Sequence, residues 1–167
     1  MRRLIVMRHA KSSWDDPELA DFDRPLNKRG RRSAGLVGGW LRRRGYLPEA
    51  ALVSAAARTR ETWAGVAAEI GEVPARLDRA LYEAHPATIL QSLRRAPADA
   101  RTLLLLGHMP GIGAFAADLL ADGAPEGDFA RYPTGATAVI DLPCATWADA
   151  DWRTGRLVDF TVPRALE

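Results

Sequence analysis

Two short aliphatic runs, Leu4-Ile5-Val6-Met7 and Leu103-Leu104-Leu105-Leu106, each end in a histidine: Arg8-His9 after the first, Gly107-His108 after the second. A histidine at such a place is more often a hydrogen-bonded structural group than a catalyst. Two of the chain's three histidines share it, however. In a parallel sheet the carboxyl ends of the strands meet along one rim, so both rings are expected at one pocket. Arg8 precedes the first histidine, and Arg58 ends a Ser54-x-Ala56-x-Arg58 segment that follows a third apolar run, Ala51-Leu52-Val53. A guanidinium offers a planar fork of donors and stays charged, which suits the oxygens of a phosphate. The competing reading for Arg58 is a cap or surface ion pair. Arg8, His9, Arg58 and His108 at three strand ends, with Pro110 opening a helix whose positive end faces the same rim, describe a phosphate site.

Other chemistries lack their residues. His9, His85 and His108 have no close ligand spacing, and no CxxC or HxxxH pair is present, so no metal is expected. Without a GxGxxG, GxxxxGK[ST] or GxSxG segment, the dinucleotide, P-loop and serine-hydrolase readings fall away, and no cofactor is expected. The formal net charge of +2 is slight, and Arg29-Gly30-Arg31-Arg32 and Arg42-Arg43-Arg44 read as solvated helix faces rather than a nucleic-acid surface. A single cysteine, Cys144, excludes an internal disulfide and fits a reducing compartment. The initial apolar run is only four residues long before Arg8, too short for a signal peptide or a membrane span. A cytoplasmic protein is expected.

These residues must be positioned by alternating elements. Asn27 is a predicted N-cap for a helix with Ala34, Val37, Trp40 and Leu41 on one face, ending at Gly45. Trp63, Val66, Ala67 and Ile70 mark a second helix that stops at Gly71. Ala75 to Leu81 is a weaker predicted strand, and Pro86 opens a short helix with Ile89, Leu90 and Leu93 inward. Ile112, Phe115, Ala116, Leu119 and Leu120 form the clearest amphipathic stripe, closed by Gly123. Ala136 to Leu142 and Leu157 to Val162 read as two final strands. Four rounds of strand and helix before a terminal hairpin indicate an α/β fold with a mostly parallel sheet and helices on both faces. At 167 residues and 47% hydrophobic, residues 1–167 are expected to form a single domain.

Together these motifs resemble the histidine phosphatase superfamily, which also contains the cofactor-dependent phosphoglycerate mutases. Arg8-His9 looks like its first signature, with Ala10 where Gly is usual; Ser54-x-Ala56-x-Arg58-Thr59-x-Glu61-Thr62 and Gly107-His108-Met109-Pro110 resemble its second-arginine and second-histidine motifs. Arg8-His9-Ala10-Lys11-Ser12-Ser13-Trp14, Asp23-Arg24-Pro25-Leu26-Asn27 with Arg29-Gly30, and Leu81-Tyr82-Glu83-Ala84 are closest to the small SixA-type phosphohistidine phosphatases. The resemblance spans essentially the whole chain and implies a three-layer αβα sandwich of the phosphoglycerate mutase type with a C-terminal β-hairpin. It further implies that His9 attacks phosphorus to form a phosphohistidine that water hydrolyses, with Arg8, Arg58 and His108 on the phosphoryl oxygens and no metal. Glu83 is implied as general acid for alkoxide leaving groups; a surface carboxylate or an ion pair is the equal alternative. Mutases typically carry RHGESxxN, whereas here Lys11 replaces the acidic residue and Asp15 the amide, which speaks against mutase activity. Little sequence separates the third strand from Thr102, so an open pocket is expected. The substrate expected is a phosphorylated protein carrying phosphohistidine, or alternatively a small phosphate ester. A phosphoprotein-binding module without activity is disfavoured by the presence of all four core residues.

Overall fold

A run of apolar residues with no polar face suits a strand that is covered on both sides. In the computed structural model, which describes residues 1–167, both aliphatic runs become central strands of one six-stranded sheet. The elements are β1 (Arg2–Arg8), α1 (Lys28–Arg44), β2 (Ala50–Ser54), α2 (Ala57–Ile70), β3 (Ala75–Asp78), α3 (Pro86–Arg94), β4 (Thr102–Gly107), α4 (Gly111–Leu119), α5 (Asp128–Arg131), β5 (Thr137–Leu142) and β6 (Arg156–Thr161). The strand order is β3-β2-β4-β1-β5-β6. The pairs β3–β2, β2–β4 and β4–β1 are parallel, while β5 runs antiparallel to β1 and to β6. The sheet is therefore mostly parallel with a C-terminal antiparallel hairpin, as the sequence implies. The exits of β1, β2 and β4 share one rim.

Alternation along the strands divides the core. Leu4, Val6, Leu103 and Leu105 pack with Ile89 and Leu93 of α3 and with Ile112, Phe115 and Leu119 of α4. Ile5, Met7, Leu104 and Leu106 point the other way, onto Val37, Trp40 and Leu41 of α1 and Trp63 and Val66 of α2. The four leucines of β4 are wholly buried. Truncating any one to Ala would cost roughly 2–5 kcal/mol, a large part of the ~5–15 kcal/mol that stabilises a typical domain. No helix is long and apolar enough to cross a membrane.

The helix punctuation follows local chemistry. Asn27 Oδ1 accepts the Gly30 N–H at 2.8 Å, and Gly45 closes α1 at φ 74°. Two expected boundaries are corrected. β3 ends at Asp78 rather than Leu81, because the Asp78 carboxylate accepts the Ala80 N–H at 2.9 Å and turns Arg79–Leu81 into a 3₁₀ turn. α4 ends at Leu119, before Gly123, because Leu120 bridges to Gly155 and the Ala121 N–H donates to the Gly155 carbonyl at 2.9 Å. The one-turn α5 has no signal in the apolar pattern.

Candidate active site

His9 directly follows β1 and is held from several sides. Its N–H donates to the Gly107 carbonyl at 3.1 Å, its carbonyl accepts from the Gly135 N–H at 2.9 Å, and the Ala10 N–H donates to Thr62 Oγ1 at 3.0 Å. The ring is equally constrained: His9 Nδ1 lies 2.7 Å from the Ala10 carbonyl. A carbonyl can only accept, so Nδ1 carries the proton and Nε2 keeps its lone pair. Burial lowers the His9 pKa to about 4, with the charges of Arg58, Arg8 and Arg24 acting in the same direction against the Ala10 bond. The imidazole is a neutral base at pH 7.

His108, after β4, sits with its ring centroid 5.3 Å from that of His9. Its Nε2 is 2.7 Å from Ser54 Oγ, at the end of β2. Ser54 Oγ also accepts the Ala56 N–H at 3.4 Å. Burial, then the neighbouring His9 and Arg58, lowers its pKa to about 3. Tyr82 meets the same ring edge-on at 5.4 Å.

Arg8 Nη1 donates to the Tyr132 carbonyl at 3.1 Å, and burial, with Arg58 nearby, lowers its pKa. Arg58, in the first turn of α2, places Nη1 on the Asp21 carbonyl at 2.8 Å and Nη2 on Asp21 Oδ2 at 3.1 Å. Arg24 reaches the other carboxylate oxygen of Asp21 at 2.9 Å, donates to Ser12 Oγ at 2.8 Å, and stacks its guanidinium 3.6 Å from the Trp14 ring centre. Tyr82 Oη also donates to Asp21 Oδ2. Burial alone would raise the Asp21 pKa, but these hydrogen bonds from Tyr82 and Arg24, with the Arg58 charge, bring it to about 2. One carboxylate thus fixes two arginines and a phenol.

The residues enclose a cavity of about 330 Å³ lined by Arg8, His9, Lys11, Ser12, Trp14, Asp21, Arg24, Arg58, Glu83, His108, Met109 and Thr134. All five residues selected from the sequence, Arg8, His9, Arg58, Glu83 and His108, meet here. Glu83 is exposed, has φ 52°, and makes no ion pair or side-chain hydrogen bond. The buried side-chain nitrogens without a partner are Arg8 Nε, Arg58 Nε and His108 Nδ1, all on residues of this cavity. Unmet buried donors are costly. Their concentration beside three arginines describes a site built for an oxyanion. Asp21, Arg24, Tyr82 and Ser54 were not among the residues chosen from the sequence as site residues. Asp23-Arg24-Pro25-Leu26-Asn27 was the available signal for Arg24; nothing in residue type separates Asp21 from the other acids of its loop.

A family model described as histidine phosphatase superfamily (branch 1) matches residues 4–103. An uncharacterised protein of Mycobacterium tuberculosis is 39% identical over 163 residues, spanning 95% of this chain and 100% of the relative. Among solved structures, a candidate phosphohistidine phosphatase SixA from Nakamurella multipartitia has a TM-score of 0.83 at 33% identity, over 97% of this chain and 96% of its own. A second, from Agrobacterium tumefaciens, has a TM-score of 0.80 at 27% identity, over 97% and 98%.

Proposed function

This chain belongs to the histidine phosphatase superfamily, and from that premise we propose that it hydrolyses phosphohistidine in proteins through a covalent phosphohistidine on His9, without a metal ion. The observation that carries the reading is the neutral His9 ring. Its Nδ1 proton is committed to Ala10 and its Nε2 lone pair is free, in a pocket whose unmet donors suit an oxyanion. The two SixA structures, described as those of candidate phosphohistidine phosphatases, support the substrate class.

In the first step Nε2 of His9 bonds to phosphorus as the bond from phosphorus to the leaving imidazole nitrogen breaks; that nitrogen takes the electron pair of the bond, and the imidazole, protonated on its other ring nitrogen, leaves neutral. Water then attacks phosphorus, Nε2 leaves, and inorganic phosphate is released. Arg8, Arg58 and Arg24 meet the growing negative charge on the phosphoryl oxygens, and the His108 ring donates to them as well. These fixed cations supply the charge that a divalent metal supplies elsewhere.

A second reading rests on Glu83, a carboxylate on the cavity wall that nothing else engages. An alkoxide leaving group needs a proton in the transition state, and Glu83 could deliver it, which would make the protein a small-molecule phosphomonoesterase. Assays in chelator decide between them, with wild type, His9→Ala and Glu83→Gln given a phosphohistidine domain and a panel of sugar phosphates and nucleotides. Faster turnover of the protein domain, lost in His9→Ala and retained in Glu83→Gln, is expected. Preference for monoesters with a crippled Glu83→Gln would establish the second reading, and loss of turnover in chelator would remove metal independence.

A further inference from the structure

Beside the catalytic cavity lies a second one of about 300 Å³ whose walls carry four cations, Lys11, Arg29, Arg131 and Arg164, against two carboxylates, Asp128 and Glu167. The two cavities share Lys11 and Thr134, so they adjoin across these residues. The shared wall is built from the segments that hold the nucleophile. Lys11 is two residues beyond His9, and its carbonyl accepts the Asn27 N–H at 3.0 Å at the start of α1, which carries Arg29. The Pro133–Gly135 turn is tied to His9 through the Gly135 N–H, and Arg8 donates to the adjoining Tyr132 carbonyl. A group bound in the second cavity is therefore held in fixed relation to His9.

Its charge is not satisfied within the protein. Asp128 serves both Arg131, at 2.6 Å, and Arg164, at 3.7 Å. Lys11 and Arg29 make no ion pair at all.

The geometry points to a docking groove for carboxylate side chains that flank the phosphorylated histidine of a partner protein. This deepens the proposed function and rests on it. A surface partner fits better than a small dianion. Arg131 and Arg164 keep 68% and 77% of their side chains exposed, and solvated cations hold a small ion weakly. A protein surface laid across the groove excludes that water and strengthens each contact. Trp14, 75% exposed and also at the mouth of the catalytic cavity, adds an apolar anchor of the kind found at protein interfaces.

The test uses three substrates: a protein domain phosphorylated on one histidine with two carboxylates within a helical turn of it, the same domain with those carboxylates changed to lysine, and free phosphoimidazole. The Arg29→Glu/Arg164→Glu double variant touches the groove and not the catalytic cavity. It should lose about tenfold or more in kcat/KM on the acidic domain, recover on the lysine domain, and stay within about twofold of wild type on phosphoimidazole. The fall should shrink as salt is raised. Equal effects on both domains, or a parallel loss on phosphoimidazole, would overturn the groove and leave the phosphohistidine reading standing. A wild type that hydrolyses phosphoimidazole but neither domain would overturn the protein-substrate reading itself, and the groove with it.

Discussion

At the scale of single residues, the site works by keeping His9 uncharged among cations. Burial and the arginines lower its pKa to about 4 and that of His108 to about 3. In the unfolded chain both would titrate near 6.5. A lowered histidine pKa means that the unfolded state binds protons first, so stability is full above about pH 6.5 and falls as the pH drops toward 4. Each histidine contributes a slope of at most about 1.4 kcal/mol per pH unit in that window. Denaturant titrations at pH 7, 5.5 and 4.5 should show the decline, with a shallower slope in His108→Asn. In an NMR titration the His9 and His108 ring signals should stay on their neutral limbs down to pH 5; an inflection near 6.5 would remove the basis for a neutral nucleophile. Arg58 makes a different demand, because its fork is set by two bonds to Asp21. Lysine keeps the charge but loses the fork. Arg58→Lys is therefore expected to lower kcat/KM by roughly 10³ or more, close to Arg58→Ala, in the phosphohistidine-domain assay. Near-normal activity in Arg58→Lys would show that charge alone suffices.

Elements bring these residues to one place, and the joints between elements are where small changes should matter. Thr62 of α2 donates to the Arg58 carbonyl at 2.7 Å and accepts from the Ala10 N–H at 3.0 Å, so one hydroxyl ties the His9 loop to the helix that carries Arg58. Thr62→Val keeps the shape and strands the Ala10 N–H, a loss of about 1–3 kcal/mol in stability. It should also lower kcat more than it raises KM, as single-turnover and steady-state rates would show. Gly30 is a second joint: a Cβ there would run into the Lys11 carbonyl, so Gly30→Ala must push the start of α1 away from the catalytic loop. The strands, the helices and the rim were legible in the sequence because apolar runs and cap residues act locally; Leu4–Met7, Asn27, Gly45 and Pro86 each announce their element. The ends of β3 and α4 were not, since they depend on the Asp78 carboxylate and on Gly155 across the fold. Arg8, His9, Arg58 and His108 could be found because each closes a strand or opens a helix. Asp21 could not, because its importance lies in three partners that only folding assembles.

For the molecule as a whole, the active site is the region that opposes folding. Buried leucines stabilise the sheet on both faces, whereas Arg8 is brought into a poorly solvated pocket beside Arg58, and both influences lower its pKa. A guanidinium so placed weakens the fold and serves function by lacking an internal carboxylate partner, which leaves its charge for the phosphoryl group. Methionine has similar length and no charge, so Arg8→Met removes the desolvation and the repulsion while keeping most of the packing. Its one loss in the free protein is the 3.1 Å hydrogen bond to the Tyr132 carbonyl. The variant is expected to be inactive yet to melt about 2–4 °C above wild type, which corresponds to roughly 1 kcal/mol for a chain of this size. Inorganic phosphate sharpens the comparison. Any ligand that binds only the folded state stabilises it by mass action, about 2.7 kcal/mol at a hundred times its Kd. Phosphate should therefore raise the melting temperature of wild type well beyond that of Arg8→Met and reverse their order at high concentration. A variant that melts lower than wild type without phosphate would mean that the Tyr132 hydrogen bond outweighs the charge, and that the site was assembled at no expense to the fold.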